Sequence, residues 1–243
     1  MDNQTAIIIP ARYGSSRLEG KPLLKACGKP IIQWVWEKAK TVAHVDRVIV
    51  ATDDERIFDA CKGFGAEVEI TLSSHQSGSD RIAEVASRHP EIAYIINLQG
   101  DEPLIEKANI ELVINGVLFD EKADISTLVR EIKDVEEVQN PNLVKCVFDF
   151  NNYAMYFSRS KIPFERNVGK SKFYGHLGIY GYKRDALMKM TQLSQTPYEM
   201  AESLEQLRAL QNGMKIKVGI VENVPVGIDT MEDFEKFKAL VER

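Results

Sequence analysis

Solid apolar runs alternate with amphipathic stretches over the first hundred residues. Ala6-Ile7-Ile8-Ile9 has no polar break until Pro10 stops it, the pattern of a strand covered on both faces. Over residues 31–42, Ile32, Val35, Trp36 and Ala39 recur at helical spacing. The alternation then continues as strand (47–52), helix (55–63), strand (67–70), helix (79–88) and strand (94–98). That βαβαβ succession predicts a parallel sheet with right-handed crossovers.

Beyond about residue 140 the rhythm changes. Residues 143–148 and 154–157 read as strands on either side of the turn signal Asn151-Asn152, and 174–182 is a further extended run. A helix is expected at 201–210, a strand at 216–221 and a closing helix at 232–241. The expectation is one α/β domain over residues 1–243, with a mostly parallel, Rossmann-like sheet. A β-rich insertion at about 140–182 is expected to contribute to a dimer surface.

The 243 residues, 44% hydrophobic and 28% charged, suffice for a substantial core. A net charge of −5 argues against a dedicated nucleic-acid binder, which needs a basic stripe. No apolar run approaches the ~20 residues of a membrane span. Met1 to Thr5 is polar and lacks the features of a signal peptide. Cys27, Cys61 and Cys146 are too few and too far apart for a disulfide framework or a metal site, so reduced thiols in a cytoplasmic protein are expected.

The strongest chemical signal follows the first strand, where Arg12, Arg17 and Lys21 surround the small residues Gly14, Ser15 and Ser16. Ligands of open α/β sheets bind beyond the carboxyl ends of strands. Small residues there let backbone N–H groups approach phosphate oxygens, and three cations offset a triphosphate's charge. The string is neither a Walker A loop nor a dinucleotide turn. A solvated turn with scattered charges is the bland alternative.

Read from Ile9 to Leu23, this loop resembles the signature of the cytidylyltransferases that activate 3-deoxy-D-manno-octulosonate (Kdo), and the likeness extends along nearly the whole chain. The family's loop usually has Pro where this chain has Glu19. The resemblance implies a nucleotide-diphospho-sugar transferase fold, with CTP and Kdo as substrates and Mg²⁺ as cofactor. It also implies a homodimer and a role in lipopolysaccharide biosynthesis. It assigns Lys21 to charge developing on the α-phosphate, and Arg12 and Arg17 to the triphosphate. Pro10, Ala11, Gly14 and Ser15 would line the nucleotide.

The string Gln99-Gly100-Asp101-Glu102-Pro103 ends the strand at 94–98. A carboxylate there, beside a triphosphate, suits Mg²⁺. The resemblance makes Asp101 a metal ligand and catalytic group, and Gln99 a sugar contact. Asp229 matches the family's other metal-binding Asp, although on the residues alone it could sit beside the cap of the last helix, since Thr230 and Asp233 fit a capping box. Ser77-Gly78-Ser79-Asp80-Arg81 resembles the nucleotide-binding loop, implying contacts from Ser77, Gly78 and Arg81, and it too has the form of a helix cap.

By the same resemblance the sugar side involves Arg159, His176, Tyr180, Glu205 and Gln206, with the β-rich insertion at about 140–182 contributing to it. A packed structural His or Tyr is the ordinary alternative, and the spacing of Leu204, Leu207 and Leu210 would by itself indicate only a core-facing helix. Activation of 8-amino-Kdo, or a nucleotide-binding module without catalysis, are rival readings. The intact Lys21 and Asp101 count against the second. A sialic-acid enzyme would usually carry Gly-Ser-Lys and Gly-Lys-Asn, against Gly-Ser-Ser-Arg and Gly-Lys-Pro here.

Overall fold

The computed structural model describes residues 3–14, 18–222 and 227–242. Its contacts group the chain into two compact units, Met1–Glu111 with Pro225–Arg243, and Leu112–Val224. The stretch read from sequence as a β-rich insertion lies within the second.

The first unit is built on a parallel sheet of β1 (Gln4–Ala11), β4 (Arg47–Thr52), β5 (Glu67–Ile70) and β6 (Ile92–Asn97), in the order β5-β4-β1-β6. Ala6, Ile7, Ile8 and Ile9 are fully buried, as a two-faced strand requires. Each isoleucine so buried contributes roughly 1.5–3 kcal/mol before entropy is counted. The strand does not stop at Pro10, which pairs with Ala51 and is followed by Ala11 opposite Thr52. Proline's fixed φ is compatible with extended backbone, so only one N–H is forfeited. The two-residue strands β2 (Lys25–Ala26) and β3 (Lys29–Pro30) form a small antiparallel ladder leading into α1 (Ile31–Ala39), which buries Ile31, Ile32, Val35 and Ala39.

Helix starts in this unit follow capping chemistry. Asp54 accepts Arg56 N at 3.0 Å before α2 (Glu55–Gly63). Ser77 and Asp80 form a reciprocal box at α3 (Gly78–Arg88), and Thr230 and Asp233 do the same at α9 (Met231–Val241). The chain passes into the second unit within α4 (Lys107–Leu118).

In the second unit β7 (Ile125–Ile132) pairs parallel with β11 (Ile216–Val221) and antiparallel with β10 (Phe173–Lys183). β10 also pairs with β8 (Lys145–Phe148), which pairs with β9 (Ala154–Ser158). The β8–β9 connection turns at Asn152, with φ 59°, while Asp149 Oδ1 accepts the N–H groups of Asn151 and Tyr153, each at 2.8 Å. β7 was not anticipated from the sequence. Its buried Ser126 and Thr127 donate to Val113 O (2.6 Å) and Ile179 O (2.8 Å), which hides polar residues inside a strand. Helices α5 (Val135–Gln139) and α6 (Arg184–Gln192) complete this part.

The single helix expected at 201–210 is two, α7 (Pro197–Glu202) and α8 (Gln206–Gln211). The break is Ser203, held left-handed at φ 51°, and Pro197 suits the first turn of a helix starting earlier than expected. Among the described residues no helix is long and apolar enough to cross a membrane.

Candidate active site

The first unit gathers its polar residues at the carboxyl ends of β1 and β6. Gly20 is left-handed (φ 66°), and the short 3₁₀ turn Lys21–Leu23 follows it. Lys21 is thereby turned inward, with a side chain only 13% exposed. Its ammonium donates to Asp101 Oδ2 at 2.5 Å and Ile228 O at 2.8 Å, and lies 3.5 Å from Asp229 Oδ1. The backbones of these segments are joined as well, since Ile228 N donates to Asp101 O at 2.9 Å. Gly100 allows the approach, because a β carbon there would stand 3.1 Å from Pro10 O and 3.4 Å from Ile32 Cδ1.

These ends enclose a cleft of ≈ 340 Å³, lined by Pro10, Ala11, Arg12 and Gly14 on one strand end, Lys21, Gly78, and then Gln99 with Asp101. Clefts of ≈ 490 and ≈ 620 Å³ occur in the second unit. Volume does not single out the first; its position at the strand ends does. Arg12 is exposed and reaches Gln76 O at 3.3 Å. Gln99 Nε2 donates to Asn97 Oδ1 at 3.3 Å. The missing side chain of Gly78 would meet nothing nearer than Pro10 Cγ at 3.5 Å. Ser15 and Arg17 lie outside the described residues.

Two capping alternatives resolve differently. Ser77 is indeed a cap, its hydroxyl accepting Asp80 N at 3.1 Å while Asp80 Oδ2 accepts Ser77 N at 3.2 Å. At α9 the cap is Thr230, whose hydroxyl accepts Asp233 N at 3.2 Å, so the Asp229 carboxylate does not perform that task and faces Lys21. Arg81 is not among the residues lining the cleft. It is fully buried and holds Asp53 Oδ2 (2.8 Å) and Thr71 Oγ1 (2.5 Å), tying α3 to the ends of β4 and β5. Glu102, which the sequence suggests only as a supporting or surface group, carries a shifted carboxyl. Burial first, and then the neighbouring Asp101 and Asp229, push it up to about 7.

In the second unit His176 and Tyr180, both on β10, come together with ring centroids 5.3 Å apart. Thr127 Oγ1 lies 2.9 Å from His176 Nε2, and Phe157 packs edge-on to the imidazole at 5.1 Å. Burial pushes the imidazolium down to about 3, which keeps the ring neutral near pH 7. It also raises Tyr180 well above the usual phenol range, with Tyr182 and Glu205 adding to the effect, which puts Glu205 within the field of this cluster. Gln206, at the start of α8, is buried.

Arg159 is held by carbonyls. Its Nε donates to Glu202 O at 2.6 Å, Nη1 to Pro141 O at 3.1 Å and Nη2 to Ser203 O at 3.4 Å. Its own carbonyl accepts the fully buried Lys145 Nζ at 2.5 Å. Thr127, Lys145 and Glu202 were missed because each lies in an unremarkable stretch, and in the case of Thr127 the strand itself was missed.

The sequence pattern of the family described as "Cytidylyltransferase" matches residues 6–216. A 3-deoxy-manno-octulosonate cytidylyltransferase of Fusobacterium nucleatum is 47% identical over 229 residues, covering 94% of this chain and 93% of its own. The enzyme of the same description from Thermodesulfovibrio yellowstonii is 48% identical over 244 residues, with 95% of each chain covered. A solved structure of CMP:2-keto-3-deoxy-manno-octonic acid synthetase complexed with CTP superposes with a TM-score of 0.95 at 44% identity, covering 98% of both chains.

Proposed function

The chain belongs to the cytidylyltransferase family, and we infer that it transfers the cytidylyl group of CTP to 3-deoxy-manno-octulosonate, releasing pyrophosphate. The observation that carries this is near full-length identity of 47–48% to two enzymes of that description, in a chain that keeps Lys21 against Asp101 at the end of a parallel sheet.

In the reaction the anomeric C2 hydroxyl attacks the α-phosphorus of CTP in line. A C2–O–P bond forms, the bond to the β-phosphate's bridging oxygen breaks, and the hydroxyl proton is lost. Such transfer asks the protein for positioning and charge stabilisation. Lys21 brings a positive charge to the phosphate end of the cleft, and Arg12 a second one at its exposed rim. Gly78 leaves the α3 N-terminus open to close approach by the nucleotide. In the second unit the neutral His176, Tyr180, Glu205 and Gln206 supply hydrogen-bonding groups for the hydroxyls of the sugar acid, and Arg159 a positive charge for its carboxylate.

Asp101 and Asp229 fit a divalent cation, since the two carboxylates converge on the same ammonium and so offer paired oxygens to one positive charge. They would hold Mg²⁺ together with water and the nucleotide's phosphates. Mg²⁺ so bound supplies neutralisation of charge on the phosphates. A homodimer is supported by large apolar side chains left exposed on the second unit, including Phe150, Met155, Phe164 and Val168. A cytoplasmic location suits the substrate CTP, and the product suits lipopolysaccharide synthesis.

The decisive assay is pyrophosphate release with each of the four nucleoside triphosphates and with Kdo, 8-amino-Kdo or N-acetylneuraminate. CTP with Kdo is expected to win clearly; preference for 8-amino-Kdo or for ATP would overturn the reading. In the same assay Asp229→Asn should raise the Mg²⁺ needed for half-maximal rate. Unchanged metal dependence would remove Asp229 from the metal site.

A further inference from the structure

The turn after β1 begins at Arg12 and ends at Lys21, and contacts outside the cleft hold its two ends together. Gly20 N donates to Tyr13 O at 2.8 Å. The Tyr13 ring covers Gly20 so closely that a β carbon there would stand 3.1 Å from the ring edge and hydroxyl. The Arg56 guanidinium carbon lies 3.2 Å from the centroid of the same ring. Arg56 is itself fixed by a two-pronged pair with Asp54, Nε to Oδ1 at 2.9 Å and Nη2 to Oδ2 at 2.7 Å. Asp54 is the N-cap of α2 and cannot wander.

An arginine 59% exposed would ordinarily sample many rotamers. Here the planar fork and the stack leave it one place. The hydrogen bonds to Asp54 first, and then the fields of Asp54, Tyr13 and Glu19, favour the charged guanidinium. The contact thus runs from the start of α2, through Arg56 and Tyr13, to the left-handed glycine immediately before Lys21.

We propose that Arg56 and Tyr13 are positioning residues of the nucleotide site, clamping the ends of the phosphate turn so that Arg12 and Lys21 are in place before CTP arrives. The role rests on the cytidylyl-transfer reading for what the turn holds, though the clamp itself does not. Groups already held in place lose less entropy on binding, so the clamp acts mainly on affinity. Lys21 is also held by Asp101 and Ile228 O, independently of the clamp, whereas Arg12 is exposed with a long contact to Gln76 O. Loss of the clamp therefore affects the KM for CTP more than kcat.

The test uses Arg56→Ala, Arg56→Gln and Tyr13→Phe in the full chain. Without nucleotide, deuterium exchange over residues 12–14 and 18–24 should be about tenfold faster in both Arg56 variants. It should be unchanged in Tyr13→Phe, because the ring face and not the hydroxyl makes the stack. With saturating sugar, both Arg56 variants should raise the KM for CTP about tenfold and change kcat less than about threefold, at an unchanged melting temperature. Tyr13→Phe should match the wild type. A folded Arg56 variant with wild-type exchange and wild-type KM overturns the proposal. Faster exchange in a chain whose wild type ignores CTP would leave the clamp standing and remove the substrate reading instead.

Discussion

Two charged clusters, one in each unit, differ in how far water can reach them. In the first, Asp101 and Asp229 sit in loops with side chains 31% and 46% exposed, so water and a ligand can reach the carboxylates that hold the inward-turned Lys21. In the second, Glu199 and Arg208 are closed off at 5% and 10%, joined by contacts of 2.5 and 2.9 Å, and Lys145 is fully buried among carbonyls. Burial raises the Glu199 carboxyl, and the Arg208 hydrogen bonds more than offset it, holding it below its ordinary value. The difference is one of alternatives. An exposed charge that loses its partner can turn to solvent, whereas a buried one cannot.

Removing one charge from each unit sharpens this contrast. Arg208→Ala leaves the buried Glu199 uncompensated and should cost about 3–5 kcal/mol of stability. For a chain of this length that is a melting point lower by roughly 10 °C. Lys21→Ala should do the reverse, lowering kcat about a hundredfold or more, typical for one lost transition-state charge contact. Its melting point should fall by clearly less than that of Arg208→Ala, because the Asp101 and Asp229 carboxylates it leaves behind are 31% and 46% exposed and can turn to water. If Arg208→Ala melts like the wild type, or Lys21→Ala melts as low as Arg208→Ala, the proposed contrast between the units is wrong.

A smaller effect separates the units by pH. His176 has its folded pKa depressed by burial to about 3, below the ~6.5 of an unfolded chain. Its neutral form is therefore favoured by folding. That stability is complete above about pH 6.5 and is lost as pH falls from there towards the folded value, at up to about 1.4 kcal/mol per pH unit. Urea titrations between pH 7.5 and 5 should show a steeper acid decline in the wild type than in His176→Gln. Parallel curves would mean that the imidazole is already hydrated in the folded protein.

The same contrast explains what could be read in advance. The first unit's site is made of contiguous strings at the ends of apolar runs, so Arg12, Lys21, Gln99 and Asp101 could be picked out before any coordinates, and the cleft brings them together. The second unit's polar residues are scattered over β7, β9, β10 and the helices, where they take part in packing. Thr127 was invisible because a strand with buried hydroxyls does not alternate, and Ser203 because a left-handed serine interrupts what looks like one helix. Even in the first unit, nothing local distinguishes Arg81, which clamps Asp53, from an arginine aimed at phosphate. Only the tertiary packing decides where a long side chain ends.

The mildest change tests how much slack the exposed turn retains. Leu18-Glu19-Gly20-Lys21 is a β-turn closed by Lys21 N to Leu18 O at 3.3 Å. Gly20, the third residue, has φ 66° and ψ 13°, while Glu19 is not among the non-glycine residues with positive φ. Those are the requirements of a type II turn, whose second position favours proline. Among the described residues no backbone bond from Glu19 N is seen, so a proline there forfeits none. Glu19→Pro should therefore stabilise the protein by about 0.4–1 kcal/mol, through loss of freedom in the unfolded chain, a rise in melting point of about 2 °C. It also removes a negative charge from the phosphate turn, so the KM for CTP should fall, by less than about threefold, with kcat unchanged. The substitution does require Leu18 to keep an extended backbone. A lower melting point together with a higher KM would show that the turn is not the one described, and that Glu19 is held in place by contacts a proline cannot replace.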